Sequence, residues 1–184
     1  MEVRWTFADG TTGFGLWGDL GAGQHGVQSG AFSLAFQSAA NTFDGVWTAD
    51  NRNNLALTSI RLNGAPGRTL FDILPGSTGT AGSATGTQVN TVGGSFMGGV
   101  TAEYANIVGL GGALPVGDLF EQLTLNFTST FGIGTYQFIA DTDNSSFSEL
   151  PPSTSTVPEP GTYALLATGL VALGVMRRRR VAQR

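Results

Sequence analysis

The chain has 184 residues and no cysteine, which excludes disulfide bonds, thiolate zinc sites and a cysteine nucleophile. Glycine is abundant at 28 residues and only 12% of residues are charged, a composition typical of β-rich extracellular proteins rather than cytosolic enzymes. Residues 1–156 hold twelve Asp and Glu against four Arg, a net charge of −8. We therefore expect no nucleic-acid binding, which requires clustered cations.

About ten short segments of residues 1–144 have the composition and period of β-strands. Their apolar residues alternate with polar ones, as Val3, Trp5 and Phe7 do, and this period of two is typical of strands buried on one face. Turn signals such as Asp9-Gly10 separate them. In chain order the predicted strands are 2–7, 13–17, 31–37, 43–49, 55–62, 69–73, 93–97, 100–108, 119–130 and 135–141. We therefore predict an all-β body over residues 1–144, an antiparallel β-sandwich with a jelly roll as the leading variant.

Residues 145–156 are rich in Ser, Thr and Pro, with Pro151 and Pro152 in the middle. This composition predicts a linker between the body and the end of the chain. Residues 76–86 are rich in Gly, Ser and Thr, and they are either a flexible loop or a glycine-rich strand end.

Residues 157–180 contain three consecutive signals. The first is a short Pro-rich motif, formed by Val157, Pro158, Glu159 and Pro160. The second is an uncharged, mainly apolar segment, formed by Gly161, Thr162, Tyr163, Ala164, Leu165, Leu166, Ala167, Thr168, Gly169, Leu170, Val171, Ala172, Leu173, Gly174, Val175 and Met176. The third is a basic cluster, formed by Arg177, Arg178, Arg179 and Arg180.

The apolar segment is long enough to enter a membrane but short for a permanent anchor. As a helix it would span about 24 Å, whereas the hydrocarbon core of a bilayer is about 30 Å thick. The alternative interpretation is a buried helix of a soluble domain, but such a helix has a polar face and this segment does not. Arginines beside a membrane segment stay on the cytoplasmic side. We therefore predict a single C-terminal membrane helix within residues 157–184, with residues 1–156 across the membrane.

The order of motif, apolar segment and arginine cluster resembles the PEP-CTERM sorting signal of Gram-negative bacteria. Pro158, Glu159 and Pro160 carry the motif, and the resemblance covers only residues 157–184. It implies that an exosortase, an integral membrane protease, recognises the motif and removes the hydrophobic tail. The body is then released or passed to the cell surface, in association with exopolysaccharide. The partners that it implies are the inner membrane, transiently, the exosortase-type protease and polysaccharide.

Export also requires an N-terminal signal peptide, and residues 1–10 lack the basic and apolar regions of one. They have the pattern of a strand followed by a turn. We expect an in-frame start codon upstream of Met1 to encode the missing signal; the alternatives are a shortened sequence and a copy of the protein that is not exported.

Three patterns are candidates for catalysis or cofactor binding. His25, the only histidine, lies in a predicted glycine-rich loop, where a solvated side chain is the alternative to a general base or metal ligand. The segment from Gly13 to Gly18 has the spacing of a dinucleotide-binding motif but no helix after it, so we reject that interpretation. Four carboxylates could form a glycosidase pair, although solvated positions are the simpler interpretation. They are Asp72, Glu103, Asp118 and Glu121.

Two further patterns point to ligands of the body. Asp141, Asp143 and Asn144 place oxygen atoms on a predicted tight turn, which is either a calcium site or a hydrogen-bonded turn closing the last strand. Several aromatic residues could stack on sugar rings, although core positions are the more common role of such side chains in β-domains. They are Trp5, Trp17, Trp47, Tyr104 and Tyr136.

Together these observations predict a non-enzymatic exported protein of the cell surface or extracellular matrix, sorted by its C-terminal signal. The alternative is a carbohydrate-binding module, with calcium as its candidate cofactor. A hydrolase acting on polysaccharide is the third interpretation.

Overall fold

The computed structural model describes residues 1–37, 42–73, 79–80, 83, 85–112 and 114–144. The chain divides into two compact units, Met1–Pro151 and Pro152–Arg184, and all described residues belong to the first. None of the helical structure in these residues is long and apolar enough to cross a membrane. The predicted linker, sorting motif, membrane helix and arginine cluster lie outside the described residues.

Thirteen strands and one single-turn 3₁₀ helix, Ala65–Gly67, make up the regular structure of the described residues. The strands are β1 (Glu2–Phe7), β2 (Thr12–Leu16), β3 (Gly18–Gly21), β4 (Gln24–Ser29), β5 (Phe32–Gln37), β6 (Trp47–Asn51), β7 (Leu57–Asn63), β8 (Thr69–Asp72), β9 (Asn90–Gly94), β10 (Val100–Val108), β11 (Leu119–Phe131), β12 (Gly134–Ile139) and β13 (Asp141–Asn144).

The strands form two sheets in which every pair is antiparallel. Sheet A has the order β13-β8-β11-β7-β1-β2, with β10 also paired to β11. Sheet B has the order β3-β4-β5-β6-β12-β9. Strands β7 and β8 follow one another along β11, because β7 pairs with its central part and β8 with its first two residues.

The inner faces of the two sheets share one hydrophobic core. Trp5 of sheet A stacks on Phe32 of sheet B with 4.4 Å between ring centroids, and Trp47 and Phe138 stack within sheet B. Alternation accounts for this packing, since Val3, Trp5 and Phe7 are all buried while the residues between them are not. The prediction of an all-β, antiparallel fold is confirmed. Strands β3 to β6 form a meander in one sheet, so the strand order departs from the two Greek keys of a jelly roll.

The bounds predicted for β1 and β10 agree with the structure, whereas three strands were not predicted. Strand β4 and the end of β3 occupy the segment around His25 that we expected to be a glycine-rich loop, and the side chains of both strands are mostly exposed. Strand β13 replaces the expected tight turn at residues 141–144, where it pairs with β8 along its whole length. Two predicted strands are also displaced: 43–49 becomes β6, which begins at Trp47, and 93–97 becomes β9, which begins at Asn90.

Candidate functional site

A cavity of about 460 Å³ opens at one end of the sandwich and is lined by residues of both sheets. Trp17 contributes from the point where the chain crosses from β2 to β3, and Trp47 contributes from the start of β6. His25 of β4 and Asn144 of β13 supply polar groups at the same cavity. The cavity therefore combines aromatic surface with hydrogen-bonding side chains.

The aromatic wall of the cavity is held in place by the core beneath it. The rings of Trp17 and Phe36 each lie 5.1 Å from that of Trp47, measured between centroids. The indole Nε1 of Trp47 donates a hydrogen bond of 3.0 Å to the carbonyl oxygen of Ala140, which fixes that ring. Trp17 remains only partly buried, so part of its ring is accessible. Ligand cavities in proteins have about this size, and a rigid, accessible ring is suited to stacking.

Thr42 joins this end of the sandwich to β13. Its hydroxyl donates to the Oδ1 atom of Asp141 at 2.8 Å and lies 3.0 Å from the carbonyl oxygen of Thr142. Burial raises the pKa of Asp141, the hydrogen bond from Thr42 opposes this effect, and the neighbouring charge of Asp143 adds to it. Thr42 was not among the predicted site residues, because its partner lies far away in the sequence.

The predicted calcium ligands lie on strand β13 rather than on a turn. Asp141 and Asp143 alternate along the strand with Thr142 and Asn144, so the carboxylates point to one face and Asn144 to the other. Thr142 and Asn144 accordingly line the cavity, whereas Asp143 Oδ2 lies 3.0 Å from the hydroxyl oxygen of Ser83. Within the described residues no three His, Cys, Asp or Glu side chains are grouped so that they could hold a metal ion. Calcium binding stays a prediction.

The four carboxylates considered as a glycosidase pair are in different environments. Asp72 and Asp118 are each 1% exposed, which corrects our expectation that Asp118 is solvated. Ser83 donates to Asp72 at 2.6 Å, and the hydroxyl of Thr80 donates to Asp118 at 2.7 Å. Glu103, by contrast, lies exposed on β10. Hydroxyl donors that satisfy buried carboxylates are typical of structural roles.

His25 and the glycine motif are both placed on strands. His25 is exposed on β4 opposite Phe36. The prediction that it lies in a loop is therefore wrong, whereas its side chain is solvated, as in the alternative to a catalytic or metal-binding role. The segment from Gly13 to Gly18 runs from β2 into β3, with no helix after it, which agrees with the rejection of a dinucleotide site. Gly13 is instead required for packing, because a Cβ atom there would overlap the indole ring of Trp5.

The five aromatic candidates divide between core and partly exposed positions. Trp5, Trp47 and Tyr136 are buried, so the core interpretation is confirmed for these three. Tyr104 is partly buried, and its hydroxyl oxygen accepts a hydrogen bond of 2.8 Å from the backbone N–H of Val89. Burial raises the pKa of Tyr104 and of Tyr136. Trp17 and Trp47 both line the cavity, and Trp17 is the more accessible of the two.

Comparison with known proteins finds a match near the C-terminal end of the chain. A family model described as the PEP-CTERM protein-sorting motif matches residues 156–180. No curated protein and no solved structure gives a significant match to the chain.

Proposed function

Because the chain carries the PEP-CTERM protein-sorting motif at residues 156–180, we propose that it is an exported surface protein processed by an exosortase. The motif match supports this proposal, and so does the order of the three signals. In the proposed sequence of events, the apolar segment from Gly161 to Met176 enters the inner membrane. The cluster from Arg177 to Arg180 holds its end on the cytoplasmic side. The protease then cuts near Pro158-Glu159-Pro160, and the body leaves the membrane.

The length of the apolar segment supports a transient anchor. A helix about 24 Å long is shorter than the hydrocarbon core of about 30 Å, so the bilayer must thin locally or the arginines must extend to the interface. Such an anchor is adequate for presenting a cleavage site but costs more free energy than a full-length span. The Ser, Thr and Pro content of residues 145–156 supports a linker through which a protease would reach the motif.

We propose further that the body acts by binding and not by catalysis, within the exopolysaccharide outside the cell. The hydrogen bonding of its carboxylates supports this part of the proposal, since Asp72, Asp118 and Asp141 are buried and accept hydrogen bonds from hydroxyl groups. A glycosidase needs two carboxylates that face one substrate. Hydroxyl-bonded, buried carboxylates are better suited to holding strands and loops together.

The sorting proposal is tested by replacing the motif in the native host. In the variant with Pro158→Ala, Glu159→Ala and Pro160→Ala, we expect the full-length protein to stay in the inner membrane. The unmodified protein should give a mature species that lacks residues 161–184 and lies outside that membrane. Cell fractionation followed by intact-mass measurement distinguishes the two.

A matched control keeps the number of substitutions constant. The variant with Pro151→Ala, Pro152→Ala and Ser153→Ala changes three residues of the predicted linker and should be processed normally. Equal release of the motif variant and the control would refute the sorting proposal. A full-length protein that stays in the membrane in all three strains would instead identify a permanent tail anchor.

A second candidate function is carbohydrate binding at the cavity, and the accessible ring of Trp17 favours it. The ring lines the same cavity as His25 and Asn144, so one sugar unit could stack on the indole and hydrogen-bond to the polar side chains. Replacement of Trp17 by Ala should then abolish binding of neutral oligosaccharides. The exposed Phe43, which does not line this cavity, provides the control in a Phe43→Ala variant. Equal binding by both variants would refute this function.

A further inference from the structure

We propose that the outer face of sheet A binds an acidic polysaccharide through Arg4 and Arg61. This inference deepens the proposed function, because a body released outside the cell is the one that meets such a polymer. The face is separate from the cavity at the end of the sandwich, since neither arginine lines that cavity. It is formed by the side chains of β2, β1, β7, β11 and β10 that point away from the core.

The register of sheet A places the two arginines directly opposite each other in one row. Each residue of this row is the Cα partner of the next, across five neighbouring strands. In order from β2 to β10 the row is Phe14, Arg4, Arg61, Thr124 and Glu103. Strands lie about 4.8 Å apart, so the row is about 19 Å long. An extended polymer matches this dimension better than a compact small molecule does.

Polar side chains with neutral hydrogen-bonding groups flank the arginines. On one side the register gives a row of hydroxyl and amide groups, which are Thr12, Thr6, Ser59, Asn126 and Thr101. On the other side only Asn63 and Gln122 carry neutral hydrogen-bonding groups, in a row that also holds Leu16, the Glu2 carboxylate and Ala105. Hydroxyl and amide groups both donate and accept hydrogen bonds, as the hydroxyl groups of a sugar chain require. These rows therefore provide a surface for neutral parts of a glycan.

The positive charges of the two arginines repel each other, and a bound anion would reduce this repulsion. Like charges that face each other on neighbouring strands are destabilising. Arg4 is partly compensated, because its Nε lies 2.8 Å from the Oε1 atom of Glu2 and its guanidinium lies 5.5 Å from the ring centroid of Phe14. Arg61 instead donates to the neutral amide oxygen of Gln122 at 2.8 Å. Within the described part of the chain, no carboxylate oxygen lies within 4.0 Å of the Arg61 guanidinium.

A depression of about 270 Å³ lies between these side chains, with both arginines, Phe14 and the hydroxyl of Thr124 among the groups that line it. Arginine presents a planar set of donors that fits a carboxylate with two parallel hydrogen bonds. Phe14 is 50% exposed and offers a ring against which a sugar can pack. The depression therefore combines a carboxylate-binding pair with an aromatic contact.

Charge decides which polymer fits this face. The body carries a net charge of −8, so it repels polyanions at long range, whereas Arg4 and Arg61 together attract them at this face. Nucleic acid requires many phosphate contacts for useful affinity, and two arginines do not supply them. A uronate-bearing glycan, with widely spaced carboxylates and many hydroxyl groups, matches both the arginine pair and the polar rows. Glu103 lies at the β10 end of the row, where its negative charge repels an anion. The anion-binding part of the face is therefore limited to β2, β1 and β7.

The test measures binding of the purified full chain, in non-ionic detergent, to polygalacturonate, dextran and single-stranded DNA. We expect binding to polygalacturonate that weakens with salt and is at least about tenfold stronger than binding to dextran. The double variant Arg4→Gln and Arg61→Gln should lose at least about tenfold in affinity. Arg61→Glu should lose more than Arg61→Gln, and Glu103→Gln should bind more tightly than the unmodified protein.

Arg52→Gln is the matched control, because Arg52 follows β6 of sheet B and pairs with Asp50 at 3.1 Å. It should bind like the unmodified protein. Unchanged polygalacturonate binding by the double arginine variant would overturn the inference, as would equal binding of dextran or tighter binding of DNA. Loss of binding in Trp17→Ala with retention in the arginine variant would move the site to the cavity. Because binding is measured on purified protein, this inference can be supported or refuted independently of the sorting experiment.

Discussion

Asn51, at the end of β6, provides a test of how the loop after β6 is fixed to the sandwich. Its side chain is 0% exposed. The amide Nδ2 donates to the carbonyl oxygens of Leu55 at 2.9 Å, Phe131 at 3.1 Å and Gly132 at 3.0 Å. The Oδ1 atom accepts a hydrogen bond of 3.0 Å from the backbone N–H of Asn53. One side chain thus satisfies backbone groups of its own loop and of the connection between β11 and β12.

Replacing Asn51 with Ala removes these hydrogen bonds without adding new ones. The amide has two N–H donors shared among three carbonyls, together with one accepted bond. At a net value of about 1 kcal/mol for each of three hydrogen bonds, the free energy of unfolding should fall by about 3 kcal/mol. For a protein of this size, such a loss lowers the Tm by about 6–12 °C. Asn51→Asp should be at least as damaging at neutral pH, because a carboxylate would then face three carbonyl oxygens.

Urea denaturation of the full chain in non-ionic detergent, followed by tryptophan fluorescence, measures this change. Asn54→Ala is the matched control, because Asn54 is an exposed residue of the same loop and should change the free energy by less than about 0.5 kcal/mol. If Asn51→Ala cost no more than Asn54→Ala, the side chain would not be what holds the loop, and the reasoning would be wrong.

Three further perturbations test other parts of the body. Burial raises the pKa of Asp141 above its ordinary value of 3.8. The stability that this group contributes is therefore complete below pH 3.8 and is lost as the pH rises through the raised pKa. Asp141→Asn should remove this pH dependence of the Tm in melts between about pH 4 and 7. The raised pKa of Tyr136 predicts loss of stability above about pH 10, and Tyr136→Phe should unfold at a higher pH than the unmodified protein does. Gly13→Ala should lower the free energy of unfolding by about 1–3 kcal/mol by overlapping Trp5, whereas Gly18→Ala, where the added Cβ meets no atom, should not; equal melts of the two would contradict the packing.

Strand β1 is predicted from the sequence because its two faces differ clearly. Strand β1 alternates Val3, Trp5 and Phe7 with polar residues, and its bounds agree with the structure. Strand β4 has only Gly26 and Val27 buried, so no alternation marks it, and its pairing with β5 decides its structure. A short polar strand such as β13 is likewise formed by its partner strand and not by its own composition.

The sorting motif and the binding surfaces differ in how far they can be read from the sequence. The motif is a local pattern, so residues 157–180 were identified without a fold, and a family model confirms the match over residues 156–180. The row that joins Arg4 to Arg61 depends on the register between β1 and β7. A shift of one residue would turn one of these side chains to the opposite face. The cavity similarly brings Trp17 and Asn144 together only because β13 pairs with β8.

Strand β13 also determines where mechanical load enters the folded body. Any tension on residues 145–184 passes through Asn144, which pairs with Thr69 at the end of a strand of four residues. Peeling from that end breaks the β13–β8 pairs one after another and reaches Ala140 last, where the carbonyl group is held by the buried indole of Trp47. The pull of a tethered chain would thus first detach the few residues of β13 and leave the shared core of the two sheets intact. Strand β13 would thus separate from the sheet under tension before the core that the two sheets share is disturbed.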